Sequence, residues 1–233
     1  TALTGNGTTS SGNSTSSDII RHTTFTEPTN ITYASYQEVD LTSASLEVAK
    51  FTIRDGGASS DADALSTTLT AITFTVSNVS NLRRIALYDG TTEISEIVAA
   101  SPAVFSSLSG LAAADNGSKD FSIRASFLAT VTDNQQFQFT ITSATADGAG
   151  STFAAADAGA AASSITGDAN RIEVTATQLG FVQQPTSTNV DAVISPNVTV
   201  QSQDANSNRD LDNTATITIT STGCGTVTGG SAA

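Results

Sequence analysis

Short runs in which apolar and polar residues strictly alternate constrain this chain more than any other feature. Ile72, Phe74 and Val76 alternate with Thr73 and Thr75, and Phe121, Ile123, Ala125 and Phe127 alternate with Ser122, Arg124 and Ser126. Phe137, Phe139 and Ile141 alternate with Gln138 and Thr140, and Ile85 and Leu87 alternate with Arg84, Ala86 and Tyr88 ahead of the turn "YDGTT". Successive side chains of a strand point to opposite faces, so each run presents one apolar and one polar face, as half-buried antiparallel strands do. Turn formers such as "DNGSKD" and "TDNQQ" bound the runs. Leu46 and Val48 share a face, whereas Phe51 and Ile53 share one a residue out of step, which predicts a bulge near Ala49 and Lys50. The alanine-rich stretches "GLAAAD" and "FAAADAGAAASS" lack a long helical stripe and read as loops and tight crossings. The pattern predicts an all-β fold, an antiparallel β-sandwich.

Residues 1–17, with Leu3 their only large apolar side chain, read as a Ser/Thr/Gly-rich linker. The sandwich is expected over 18–175, closing on a strand about Ile172 and Val174. A new pattern starts at Leu179 and Phe181, which are expected to open a second core. Residues 176–233 read as the start of an immunoglobulin-like β-sandwich, with Val198 and Val200, a polar hairpin, then Ile217 and Ile219. That is about four strands where such a sandwich needs about seven, so the second domain is expected to be incomplete and the chain to stop inside a longer polypeptide.

Charge narrows the partners. Nine Lys and Arg against 22 Asp and Glu give a net charge of -13. Such a surface repels phosphate backbones and anionic lipid, so neither nucleic-acid nor membrane-surface binding is expected. No run approaches the roughly 20 apolar residues of a membrane span. A lone cysteine, Cys224, excludes an internal disulfide. No charged-then-apolar leader opens the chain, which reads as a mature or internal piece. Low charge, and Ser plus Thr at roughly three residues in ten, suit an extracellular protein.

Chemistry has little to work with. His22 is the one histidine, no Gly-x-Ser-x-Gly elbow is present, and Cys224 sits between two glycines with no second histidine to activate it. Sugar subsites usually need aromatic platforms, and the chain has no Trp and three Tyr. An enzyme is not expected. Calcium is a better fit, since it takes six to eight oxygens from a flexible loop. In "RDGGASSDADAL", Asp55, Asp61 and Asp63 can converge on a cation if Gly56 and Gly57 supply the tight turn; the alternative is a solvated acidic loop. In "DANSNRDLD", Asp204, Asn206 and Asn208 match the start of an EF-hand loop, but Arg209 stands where that loop needs glycine and Ala215 where it needs glutamate. The same residues are also plain turn formers. Lys50 and Lys119, the only lysines, are the candidates for a Lys–Asn isopeptide crosslink, against an ordinary edge or bulge role.

Two stretches carry a resemblance. "LGFVQQPTSTNVDAVISPNVTVQSQDANSN" resembles the start of bacterial immunoglobulin-like surface repeats. "FTIRDGG", "DADALSTTLTAITFTVSN", "LRRIALYDGTTEISEI" and "FSIRASFLATVTDNQQFQFTITSATAD" are similar to modules of giant surface proteins of gliding Gram-negative bacteria, exported by the type IX route and including gliding adhesins. The resemblance spans about residues 18–230 and brings no catalytic residue with it. It implies a structural spacer or stalk module of a secreted cell-surface adhesin or extracellular fibre, whose partners are neighbouring repeats of the same chain and other copies in a fibre. The alternatives are a calcium-dependent carbohydrate-binding module using Asp55, Asp61 and Asp63, and an accessory domain of a secreted hydrolase. The first of these asks for an aromatic beside the loop, and the nearest in sequence is Phe51.

Overall fold

A computed structural model describes residues 14–22, 24–154, 170–189 and 192–218; the expectations placed on Leu3, Ile219 and Cys224 lie outside them. The chain divides into two compact units, Thr1–Val174 and Thr175–Ala233. The described residues are all-β, relieved only by 3-10 turns at Tyr33–Ser35 and Val79–Asn81. None of their helices is long and apolar enough to cross a membrane.

The first unit is a β-sandwich of three sheets around one core. Its largest sheet holds, in spatial order, β1 (Asp18–Arg21), β3 (Glu47–Arg54), β9 (Ser118–Phe127), β5 (Leu82–Asp89) and β6 (Thr92–Val98), all antiparallel. Opposite it lie β11 (Phe139–Ala146), β4 (Thr67–Val76) and β7 (Ala103–Phe105), with the short β8 (Ala112–Ala113) also on β4. A third, small sheet joins β10 (Gln136–Phe137), β12 (Asn170–Glu173) and β2 (Ile31–Thr32). The apolar face of each alternating run turns inward: Phe51, Phe121, Phe127, Phe74, Phe105, Phe137 and Phe139 are all buried. Phe51 of β3 meets Phe74 of β4 across the two main sheets at 6.2 Å between ring centroids, and Phe74 packs edge-on against Phe105 and Phe139, each at 6.1 Å. Aromatic pairs at such distances add stability beyond the area they bury.

Three local details depart from simple alternation. The register of β3 against β9 slips between Glu47 and Ala49, so the extra residue is Val48, one position before the expected bulge. Phe137 and Phe139 read as one run, but the backbone changes sheet at Gln138, whose N–H donates to Ser77 Oγ (2.9 Å) while its carbonyl accepts from Ser77 N–H (3.1 Å). The third is β5, which is buried on both faces. Residues 36–46 lie over its outer side, where Leu41 packs with Ala86 and Tyr88. There the Tyr88 hydroxyl donates to the Leu41 carbonyl (2.9 Å), Arg124 stacks 5.2 Å from its ring, and burial together with Glu93 pushes the phenol up to about 12.

The second unit contains β13 (Gln178–Gln183) and β14 (Thr199–Gln203), an antiparallel pair. Among the described residues Leu179 and Phe181 open no core: they are 54% and 56% exposed. Two strands have no facing layer among the described residues, so their apolar face stays in solvent. Residues 214–218, where Ile217 was expected to start a strand, carry none.

Candidate functional site

The acidic loop leaves the end of β3 through two glycines in the left-handed region, Gly56 (φ 71°) and Gly57 (φ 67°). A Cβ on Gly57 would stand 2.5 Å from the Ser16 carbonyl, and one on Gly56 2.7 Å from that of Ser59, so only glycine fits both the dihedral and the space. This turn drives Asp55 inward, where it is 3% exposed. Its Oδ1 accepts from Thr67 Oγ1 (2.6 Å) and Ser17 Oγ (3.5 Å), and its Oδ2 accepts from Asn116 N–H (2.8 Å). Asp61 accepts from Ser16 Oγ (3.3 Å), and its N–H donates to Asn116 Oδ1 (2.7 Å). Asp63 accepts from Ser14 N–H (2.5 Å), Ser151 Oγ (2.8 Å) and Leu65 N–H (2.8 Å).

The three aspartates therefore each hold one serine of the segment Ser14–Ser17. That segment also runs parallel to residues 152–154: Thr152 N–H donates to the Ser14 carbonyl (2.8 Å), Ser17 N–H to that of Thr152 (3.2 Å), and Ala154 N–H to that of Ser17 (2.9 Å). The expected linker thus ends earlier than position 17. Ser17 is fully buried and Ser14–Ser17 belong to the sandwich, because the acidic loop supplies acceptors that a Ser-rich stretch can satisfy. Residues 1–13 lie outside the described residues.

The carboxylates that come within reach of a single ion are Asp55, Asp61 and Asp115, whose oxygens lie within 4.8 Å of one another. Asp115 takes the place that spacing offered to Asp63, which is engaged with the serines. It arrives from the turn before β9, which pairs with β3 so that Asp55 N–H donates to the Gly117 carbonyl (2.9 Å). Only the β3–β9 register brings it there, and nothing local in "DNGSKD" announces it. Desolvation, then the charges of Asp55, Asp61 and Asp63, raise the Asp115 pKa; the Ser14 N–H first, then Leu65, Ser151 and Asp61, lower that of Asp63 against a smaller desolvation effect.

The two shifts have opposite consequences for stability. Asp63, depressed on folding, stabilises above the ordinary carboxylate range, and its contribution is lost as pH falls through its lowered value. Asp115, raised on folding, costs stability at neutral pH, a cost relieved as pH falls through its raised value. Melting followed from neutral to strongly acid pH should therefore show Asp115→Asn above wild type and Asp63→Asn below it at neutral pH, with both differences shrinking in acid. Differences that persist unchanged across that range would show that charge is not their source.

The second acidic stretch is a turn. Asp204 Oδ1 accepts from the N–H groups of Asn206 and Asn208 (2.9 Å each) and its Oδ2 from Asn208 Nδ2 (3.1 Å), so Asp204, Asn206 and Asn208 bind one another in a side-chain-closed hairpin. His22 is tied on both nitrogens: Nε2 faces Asp120 Oδ2 at 3.0 Å and Nδ1 accepts from Phe25 N–H at 3.1 Å. Thr52 Oγ1 donates to Asp120 (2.7 Å) rather than to the imidazole, so Asp120 of β9 ties His22 to Thr52 of β3. Lys50 pairs with Glu47 (3.2 Å) and Lys119 with Asp89 (2.8 Å). Phe51, the aromatic nearest the acidic loop in sequence, is buried in the core. The chain matches no protein-family model and no curated protein.

Proposed function

We propose that this chain is a non-catalytic spacer module of a large secreted cell-surface adhesin or extracellular fibre, joined to neighbouring repeats and working outside the cell, as its resemblance to type IX-exported gliding adhesins implies. One observation carries the reading: both ends of the first unit are held by parallel pairing. Ser14–Ser17 run parallel to residues 152–154, and β2 runs parallel to β12 with Ile31 opposite Ile172 and Thr32 opposite Glu173. Side chains reinforce the second junction, Arg171 Nε donating to Asn30 Oδ1 (2.7 Å) and Asn170 Nδ2 to Glu27 Oε2 (3.1 Å). In a parallel pair, an early strand pulled toward its N-terminus and a late one pulled toward its C-terminus slide along each other. The bonds then share the load in shear, whereas an antiparallel hairpin pulled at its open ends loses them one at a time. A module that carries tension between its ends gains from this arrangement.

Calcium fits the same reading as a fastener. Asp55, Asp61 and Asp115 would hold it, and it would offset both the desolvation and the neighbouring negative charges that raise Asp115.

Forced unfolding reports the rate of crossing the unfolding barrier, so pulling geometry tests the proposal. In a Cys224→Ser background, pulling through residues 14 and 174 is expected to need a clearly higher force than pulling between cysteines placed at Ser80 and Ala99, the open ends of the β5–β6 hairpin. Thr152→Pro, which deletes one N–H of the first parallel junction, should lower the first force and leave the second unchanged. Equal forces in the two geometries would sink the load-bearing reading.

A further inference from the structure

One groove of the first unit collects features that the sandwich does not use. It is lined by Val39, Val79, Leu82, Arg83, Val98 and Leu128 among others, and measures about 480 Å³. The exposed large apolar side chains described in this unit are Val39, Val98, Val104 and Leu128, at 67%, 67%, 52% and 37%, and all but Val104 lie on this groove. On a surface otherwise dominated by Ser, Thr and acids, such clustering marks an interaction site more than scattered single residues do.

Arg83 is the second feature. The register of β5 against β9 slips between Leu82 and Arg84, opposite Phe127 and Ser126, so Arg83 is the extra residue of a bulge. Bulges re-aim side chains, and this one delivers a guanidinium to the groove wall. Its Nε is buried without a hydrogen-bond partner. Among the described side chains of this unit, Lys50, Arg54, Arg84, Lys119, Arg124 and Arg171 each pair with a carboxylate, and Arg83 has no such pair. In a chain with 22 acids and nine basic residues, an Arg left over beside an apolar hollow is a selective arrangement. Its neighbour Arg84 is spent on Glu96 (2.7 Å) and the Val39 carbonyl (3.1 Å).

We propose that this groove docks an acidic polypeptide segment in which an aliphatic side chain stands next to a carboxylate. The aliphatic group covers Val39, Val98 and Leu128, and the carboxylate accepts from the Arg83 guanidinium, whose planar fork suits it in a partly dry setting. Apolar contact supplies the affinity, and the ion pair sets which segments are accepted.

The test is selection from a phage-displayed random octapeptide library on the full chain, followed by resynthesis of the enriched peptide. The enriched sequences should share Leu, Ile or Val beside Asp or Glu. The peptide's affinity should fall at least about tenfold for Arg83→Gln, for Val98→Ser and for the peptide with its acid changed to the amide, the charge-dependent losses shrinking as salt is raised. Circular dichroism and the melting temperature establish that both variants remain folded, and Val104→Ser, away from the groove, should bind as wild type does. No enrichment, a consensus without an acid, or equal binding by folded Arg83→Gln would overturn the proposal. So would dodecanoate, used as a competitor, binding the groove more tightly than the peptide, because the occupant would then be a small amphipathic acid.

Discussion

Replacing Phe74 by alanine is expected to remove about 3–5 kcal/mol of stability, the cost of a large buried aromatic whose cavity does not refill. Phe74 lies on β4, the central strand of its sheet, is 1% exposed, and touches Phe51 across the sheets as well as Phe105 and Phe139 in its own sheet. Three rings thus lose a partner at once, and β4 cannot move to close the hole because β11, β7 and β8 all pair with it. Phe74→Leu keeps most of the volume and should cost about 1.5 kcal/mol or less. Urea unfolding measures both through the midpoint, with an unchanged slope showing that the denatured state is unaffected. A loss below about 1 kcal/mol for the alanine variant would mean that the sheets do not meet at this ring.

The same ring shows how much of the fold was legible in the sequence. Alternation identified Ile72, Phe74 and Val76 as one face because a strand's period leaves no other reading. The slip at Val48 was visible to within a residue for the same reason. Alternation is blind to anything that covers a strand's second face, so Ala86 and Tyr88 gave no sign of being buried under Leu41. It is equally blind to a backbone that changes sheet without changing phase, as at Gln138. The candidate site was half legible. Asp55, Asp61 and Asp63 stand close in sequence, but what each carboxylate faces is decided by partners far along the chain: Ser14, Ser16, Ser17, Asn116 and Ser151. Asp115 was missed because its approach depends on how β3 pairs with β9. Leu179 and Phe181 show the converse limit: a local apolar pattern states which residues could form a core, not whether a facing layer is there.

Asp55 separates the two roles of the acidic loop, a hydrogen-bonded anchor and a cation site. Asp55→Ala should cost about 1–3 kcal/mol in chelator, because it removes the acceptor of the Asn116 N–H and one acceptor of the buried Thr67 hydroxyl. The Thr67 hydroxyl softens the loss, since it already lies 2.6 Å from Ser17 Oγ and can turn to donate there. Asp55→Asn is gentler. Its carbonyl oxygen can accept from Asn116 N–H, its amide can donate to Thr67 Oγ1, and the Thr67 proton passes to Ser17, so the anchor survives at a cost of about 1 kcal/mol or less. What the amide cannot do is match a carboxylate as a calcium ligand. If a cation fastens this loop, calcium at a hundredfold excess over its dissociation constant adds about 2.7 kcal/mol to the wild type. That increment should vanish in both Asp55→Asn and Asp115→Asn, whereas Asp63→Asn, whose carboxylate holds serines instead, should keep it. Melting curves recorded in calcium and in chelator read all five proteins. A wild type that melts identically in both leaves the aspartates as the anchor of Ser14–Ser17 alone, held by hydrogen bonds without an ion.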